Sequence, residues 1–244
     1  MTYQRGQPLY EGKAKSVYTV QGSDKLLWLE FKDSLTAFNA LKKGSFINKG
    51  GVNLKIASLI FRYLKQNGIN THWVEDRQPN VMISQKLQMI PLEVVVRNVV
   101  AGSLAKKLGQ TEGGVIQPPL VELYLKNDEL QDPFINDEQA LFLKAAAANE
   151  LPEIKKQALR INELLLPFFS RMNIRLVDFK LEFGRTADKQ ILLADEISPD
   201  SCRLWDMQTN EKLDKDRFRR DLGQVEESYQ EVLKRIEQSW ESEL

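Results

Sequence analysis

The sequence predicts an α+β protein read in two parts, a small strand-rich one and a larger one. Three observations lead there. Strand-like segments with a glycine turn open the chain ahead of any helical pattern. Later segments carry apolar stripes at helical spacing. The length of 244 residues, 42% of them hydrophobic, suits one large domain or two small ones sharing a cleft and rules out a disordered chain.

Leu9–Tyr10 and Ser16–Val20 flank Gly12, and Lys25–Phe31 (KLLWLEF) follows, which predicts three strands with a tight turn after the first. Asp33–Lys49 is polar and glycine-containing and reads as a long loop. Val52, Ile56, Leu59, Ile60, Tyr63 and Leu64 recur with helical periodicity, so a helix is expected from about Gly51 to Asn67, stopped by Gly68. Strands near Asn70–Val74 and Val81–Ser84 would complete a small lobe over residues 1–86.

The larger part, residues 87–244, opens on Leu92–Val100 (LEVVVRNVV), a strong strand pattern. The segment AGSLAKKLG then reads as a short helix with Gly109 as its stop, residues 110–118 as a loop, and Leu120–Leu125 as a strand. A helix from about Pro152 to Met172 carries Ile154, Ala158, Ile161, Leu165, Phe168 and Met172, with a kink expected at Pro167. The last helix is expected from about Lys215 to Trp240, with Phe218, Leu222, Val225, Tyr229, Val232, Ile236 and Trp240 facing the core.

Composition narrows the chemistry. The 34 basic and 34 acidic side chains cancel, which argues against a dominant nucleic-acid surface. A single cysteine excludes a disulfide framework or a cysteine zinc cluster, and a lone His72 excludes a multi-histidine metal site. Any metal must therefore be held by oxygen ligands, which points to magnesium or calcium. No window approaches 18 consecutive apolar residues, so no membrane span is expected. The opening MTYQRGQPLYEGKAK lacks an apolar secretory stretch, and the expected location is the cytoplasm. Cys202 reads as a packing residue and His72 as a structural one.

The most informative segment is Ile174–Gly184, IRLVDFKLEFG. Strand alternation puts Val177, Phe179, Leu181 and Phe183 into the core and Asp178, Lys180 and Glu182 on the opposite face, about 7 Å apart. Gln190–Ile197 (QILLADEI) follows a polar RTADK link and reads as the second strand of a hairpin. With the loop centred on Asp188–Lys189, Glu182 faces Asp195, and two such carboxylates repel unless a cation lies between them. Magnesium bridging nucleotide phosphates would supply it. A solvent-facing strand with merely solvated charges is the plain alternative, but the ISPDSCRLWD loop that follows, with Asp200 and Arg203, favours a site.

Smaller constellations support it. Gly12-Lys13-Ala14-Lys15 lies between two strands, where backbone approach and two lysines suit phosphates, or a simple hairpin turn with solvated lysines. Arg97 ends a strand and Gly102-Ser103 opens a helix, a combination suited to a phosphate or to a plain serine cap. Lys126-Asn127-Asp128, with Asp132 nearby, forms a polar cluster after a strand.

In order along the chain, LYEGKAKSVY, INKGGVN, PLEVVVRNVVAGSL, LYLKNDELQDP, LVDFKLEFG, ADEISPDSCRLWD and DKDRFR resemble the phosphoribosylaminoimidazole-succinocarboxamide synthase (SAICAR synthetase) family. That resemblance implies an α+β fold of two lobes: a kinase-like antiparallel ATP-binding lobe and a larger ATP-grasp-like α/β lobe, with the active site in the cleft. It implies ATP and Mg2+ as cofactors, and carboxyaminoimidazole ribotide (CAIR) and L-aspartate as substrates. It also implies a homodimer. By the same resemblance, Gly12, Lys13, Lys15, Met89 and Lys126 would bind nucleotide, and Glu182 and Asp195 would hold the metal. Arg97, Ser103 and Arg203 would hold the ribotide phosphate. Asp178 and Lys180 would stand near the reacting groups, Asp132 and Asp200 would be further acidic residues of the site, and Asn39 and Lys49 would lie near the substrate carboxylate and aspartate. Lys13, Asp178, Lys180 and Asp200 would be the catalytic set.

Overall fold

The computed structural model describes residues 3–37, 41–77 and 79–241. Arg5–Glu11 (β1), Lys15–Val20 (β2) and Ser23–Phe31 (β3) run as an antiparallel meander, as the strand patterns predict. The segment expected to be one long loop instead holds a short hairpin, Ser34–Ala37 (β4) with Lys42–Ser45 (β5). Its strands carry little apolar patterning, so periodicity could not find them.

Lys49–Gln66 (α1) follows. Asp33 caps its start from a distance, accepting the backbone N–H groups of Asn48 at 3.0 Å and Gly50 at 2.9 Å. Gly50 is required there, because a Cβ would stand 2.4 Å from the carbonyl oxygen of Phe31. Trp73–Arg77 (β6) and Val81–Gln85 (β7) then close a five-stranded sheet in the order β1-β2-β3-β7-β6.

The second lobe is built on Gln88–Val99 (β8). Gly102–Leu108 (α2) ends at left-handed Gly109, as expected. Val115–Leu125 (β9) starts five residues earlier than the sequence suggests, because Pro118 and Pro119 mask a strand that lies toward a sheet edge. Phe134–Ile135 (β10) and Asp137–Phe142 (α3) lead to Glu150–Ser170 (α4), which runs through Pro167 to within one turn of it. Ile174–Arg185 (β11), Ile191–Ala194 (β12) and Cys202–Asp206 (β13) complete a six-stranded sheet of order β10-β9-β8-β11-β12, with β13 also on β11. The expected single last helix is two: Asp216–Arg219 (α5) and Val225–Glu241 (α6). Left-handed Asp221, Gly223 and Gln224 break it.

α4 buries Ile154, Ala158, Ile161, Leu165 and Phe168 against the sheet, where each large side chain contributes about 1.5–3 kcal/mol of transfer free energy. Phe179, Leu181 and Phe183 of β11 join the same core, which continues into the first lobe through Leu29 and Phe31. Val177 does not follow the predicted alternation. A bulge between Leu176 and Asp178 shifts the parity of the strand, so Leu176 faces the main core and Val177 packs with Val99, Ala101 and Trp205. Among the described residues no helix is long and apolar enough to cross a membrane.

Candidate active site

One face of the six-stranded sheet is polar. Register sets its residues in rows: Tyr124, Glu93 and Glu182; Glu122, Val95 and Lys180; and Leu120, Arg97, Asp178 and Arg203. Asp178 and Glu182 are buried, so this is not a solvated strand surface. A buried charge requires a partner, and every charge on this face has one.

At one end the carboxylates meet lysines. Lys180 Nζ lies 2.5 Å from Glu182 Oε1, 3.2 Å from Glu93 and 3.3 Å from Asp195 Oδ2. Lys15, reaching over from β2, pairs with Asp195, and Lys126 pairs with Glu182. Glu182 and Asp195 thus converge, though not in the predicted register. The five-residue loop Thr186–Gln190 centres on Asp188, closed by Thr186 N–H to Gln190 O at 2.9 Å, and places Glu182 opposite Ala194. Asp195 lies one step past β12 in the left-handed region, φ 59°. Glu93 is the carboxylate directly opposite Glu182, and Lys180 is the cation between them.

Burial opposes ionisation of Asp195, but Lys15, Lys180 and Lys126 outweigh it and hold its carboxyl well below the usual range. Burial likewise opposes the charge on Lys15 and Lys180; Asp195 with Glu196, and Glu182 with Asp195, raise them above the ordinary lysine range. Burial pushes Glu196 up. Its Oε2 lies 3.4 Å from Lys15 Nζ without hydrogen-bond alignment.

At the other end two arginines share Asp178. Arg97 Nη1 donates to Asp178 Oδ2 at 2.8 Å and Arg203 Nη1 donates to it at 3.0 Å. Arg97 Nε donates to Glu122 at 2.7 Å, while its Nη2 makes only long contacts, 3.3 Å to Tyr124 and 3.5 Å to Ser103. Arg97, Ser103, Asp178, Lys180, Asp200 and Arg203 line one cavity of about 200 Å³ that joins the two ends.

The remaining predicted residues lie around this face. Lys49, at the start of α1, pairs with Asp200, which also accepts from Asn53 at 2.9 Å and Tyr229 Oη at 2.7 Å. Burial opposes ionisation of Asp200, yet Lys49 and Lys215 bring its carboxyl down to about 2. Gly12 closes the β1–β2 turn by donating its N–H to Lys15 O at 2.8 Å. Lys13 reaches across to Asp128 at 2.6 Å. Met89 is partly exposed on β8 beside Gly184. Asp132 accepts the Asn127 N–H at 2.9 Å and so shapes the loop after β9. Asn39 lies outside the described residues. Cys202 is buried with its thiol pushed up by burial, and buried His72 is held neutral by burial and by Lys15, its pKa lowered to about 4.

Sequence reasoning missed Glu93, Glu122 and Tyr124, although period-two alternation from Arg97 and Lys126 reaches them. It also missed Arg219, which lines the cavity, and Tyr229; both come from helices whose break left no clear signal.

Glu182 and Asp195 present four carboxylate oxygens, each facing an ammonium. Oxygen donors of this kind fit a hard divalent cation. Among the described residues no three acidic, histidine or cysteine side chains converge to hold a metal. Glu182 and Asp195 alone could supply only part of such an ion's coordination. A larger cavity, about 1760 Å³, lies apart, between residues 85–88, the start of α4 and the β11–β12 loop, and contains none of the predicted site residues.

Residues 8–236 match the family model described as SAICAR synthetase. The chain is 52% identical over 235 residues to a phosphoribosylaminoimidazole-succinocarboxamide synthase of Desulfitobacterium hafniense (96% of this chain, 98% of that protein). It is 49% identical over 233 residues to that of Bacillus cereus (96% and 97%). A SAICAR synthetase solved in complex with ADP superposes with a TM-score of 0.90 at 48% identity, covering 93% of this chain and 96% of that one. The crystal structure of the Ehrlichia chaffeensis phosphoribosylaminoimidazole-succinocarboxamide synthase gives 0.92 at 40% identity, covering 95% and 98%. A polar sheet face with a lysine–carboxylate end and an arginine end, on a chain matched over nearly its whole length, places this protein plainly: it belongs to the SAICAR synthetase family.

Proposed function

We propose that this protein joins L-aspartate to the carboxylate of CAIR, converting ATP to ADP and phosphate and yielding SAICAR for purine synthesis. The observation that carries this reading is a cavity lined by an arginine pair and by Lys180, whose ammonium pairs with Glu93, Glu182 and Asp195. One end suits a remote phosphate and the other a triphosphate. Family membership and a relative solved with ADP support it.

A carboxylate does not accept an amine directly, because its leaving group is too poor. A CAIR carboxylate oxygen attacks the γ-phosphorus, the bond to the β-phosphate oxygen breaks, and ADP leaves. The neutral amine of aspartate then attacks the acyl carbon, the carbon–oxygen bond to phosphate breaks, and the nitrogen gives up one proton, which the departing phosphate takes. The protein's part is positioning and charge neutralisation. Arg97, Ser103 and Arg203 anchor the ribotide phosphate and so use remote binding energy to fix the carboxylate. Lys13, Lys15 and Lys126 turn to the nucleotide phosphates, and Met89 lies along adenine. Asp178 keeps the two arginines together, while Lys180 stands between both ends. Lys49 and, by the family resemblance, Asn39 serve the substrate carboxylate and aspartate, while Asp132 and Asp200 are further acidic residues of the site. Magnesium, held by Glu182 and Asp195, would spread charge from the transferred phosphoryl group.

On this reading residues 1–86 form the nucleotide lobe, residues 87–244 the substrate and metal lobe, and the protein is a cytoplasmic homodimer; the dimer rests on the family alone. A coupled assay with ATP, magnesium, CAIR and aspartate, omitting one at a time, tests the reaction. Turnover should need all four and give equal ADP and amide product. Glu182→Ala should lower kcat by about a hundredfold or more while the fold is retained. ADP release independent of aspartate, or near-normal activity in that variant, would overturn the assignment.

A further inference from the structure

Asp216 does not line the cavity shared by Arg97, Ser103 and Arg203, yet its carboxylate contacts two arginines that do. It opens α5 and is 1% exposed. Its Oδ2 accepts from Arg203 Nε at 3.0 Å and its Oδ1 from Arg219 Nη1 at 2.6 Å, and both arginines line the cavity. Arg220 Nη2 lies 3.5 Å away. The backbone that carries this carboxylate is itself fixed from behind. Asp216 N–H donates to Asp214 Oδ1 at 2.7 Å, and Asp214 Oδ2 accepts the N–H of Leu204 on β13 at 2.8 Å.

Arg203 is thereby held on every side. Its Nε faces Asp216, its Nη1 faces Asp178, and its Nη2 rests over Gly102. A Cβ at Gly102 would stand 2.4 Å from that Nη2, and φ there is +55°, so the close approach depends on glycine. Two guanidinium groups in one small cavity repel each other unless an anion stands near. Asp216 supplies that anion from outside the ligand space. Burial opposes its ionisation, and Arg203 and Arg219 outweigh burial, keeping the carboxyl below its ordinary range.

We propose that Asp216 is a positioning residue for the phosphate end of the substrate: it aims the guanidinium groups of Arg203 and Arg219 into the cavity and offsets their mutual repulsion before the ligand arrives. This rests on the proposed function for the identity of the ligand and adds to it a residue that never touches that ligand. Fixed donors cost less to order on binding than mobile ones, so the gain is confined to the phosphate.

Asp216→Asn keeps the shape and removes the charge. Calorimetry with CAIR, with its dephosphorylated riboside and with magnesium–ADP separates the contributions. Binding of CAIR should weaken about tenfold or more, while the riboside and the nucleotide stay within about twofold. In steady state, KM for CAIR should rise while kcat changes less, and Asp216→Glu should recover part of the loss. In an Arg219→Met background the further effect of Asp216→Asn should shrink; full additivity would overturn the proposal. Equal weakening of CAIR and riboside, or CAIR binding as tight as in the wild type, would also overturn it. Should Asp216→Asn fail to fold, Asp216→Glu alone carries the test, since it keeps the charge but moves it. A smaller loss confined to CAIR, with the riboside and nucleotide unchanged, is then required, and a loss shared equally by the riboside would overturn the proposal. Wild-type protein that binds no CAIR would sink the functional reading and this inference with it, whereas an unaffected Asp216→Asn variant sinks the inference alone.

Discussion

Asp206 ends β13 with three partners on one carboxylate. The backbone N–H groups of Gln208 and Thr209 donate to Oδ1 at 2.9 Å each, and Arg235 Nη1 lies 2.8 Å from Oδ2. Burial opposes ionisation, but these donors bring the carboxyl down to about 2. The unfolded chain titrates near the ordinary aspartate value of about 3.9. A lowered folded pKa gives stability that is present above that value and lost as pH falls through the folded one. At neutral pH the contribution is about 2–3 kcal/mol, and about half of it is gone by pH 3. Asp206→Asn should therefore be less stable than the wild type in urea at pH 7, and the gap should narrow markedly by pH 3. An unchanged gap between those two conditions would refute the assignment. Residues of this kind are hard to read in a sequence, since an aspartate before a polar turn looks the same whether or not an arginine from α6 reaches it. Asp178, Lys180 and Glu182 were legible because strand alternation alone puts three charges on one face.

The pairing of α4 with β8 turns on two buried amides. Asn98 Nδ2 donates to Asn162 Oδ1 at 2.8 Å, and Asn162 Nδ2 donates to Asn98 Oδ1 at 2.9 Å. Both are buried, Asn162 within the apolar face of α4. Asn162→Leu leaves Asn98 with only the Leu176 carbonyl, 3.3 Å away. The cost should be about 2–3 kcal/mol, because an unsatisfied buried amide loses its full solvation. Asn98→Leu with Asn162→Leu should be less destabilised than the sum of the singles, as chemical denaturation would show. Additive losses would mean that the amides are not coupled. At this scale the helices were legible from their stripes, whereas the register of the β11–β12 hairpin was not. One left-handed lysine, Lys189 at φ 65°, helps fix the loop centre, and non-glycine residues in that region carry no sequence signal. The break between α5 and α6 escaped for the same reason, since only Gly223 among its three left-handed residues hints at it.

Across the whole molecule, lysines of the first lobe close on carboxylates of the second. Lys15 meets Asp195, Lys49 meets Asp200 and Lys13 meets Asp128. Main-chain bonds reinforce the joint, with His72 N–H donating to Leu193 O at 2.8 Å and Leu193 N–H donating to Asn70 O at 3.1 Å. Lys15 therefore holds the lobes together in the free protein, and on the proposed function it would also meet phosphate when nucleotide binds. The two separate in a melting experiment. Lys15→Met leaves Asp195 without its closest cation, and the free protein should lose about 3 kcal/mol, the usual cost of breaking a buried pair. On the proposed function, added magnesium–ADP should stabilise the wild type by about 2.7 kcal/mol at a hundred times its Kd. If Lys15 also contacts phosphate and its loss weakens binding about tenfold, the variant gains only about 1.4 kcal/mol at that concentration. Thermal unfolding with and without nucleotide reads both quantities. A lowered baseline with an unchanged nucleotide increment would confine Lys15 to the joint between the lobes and remove it from the nucleotide site.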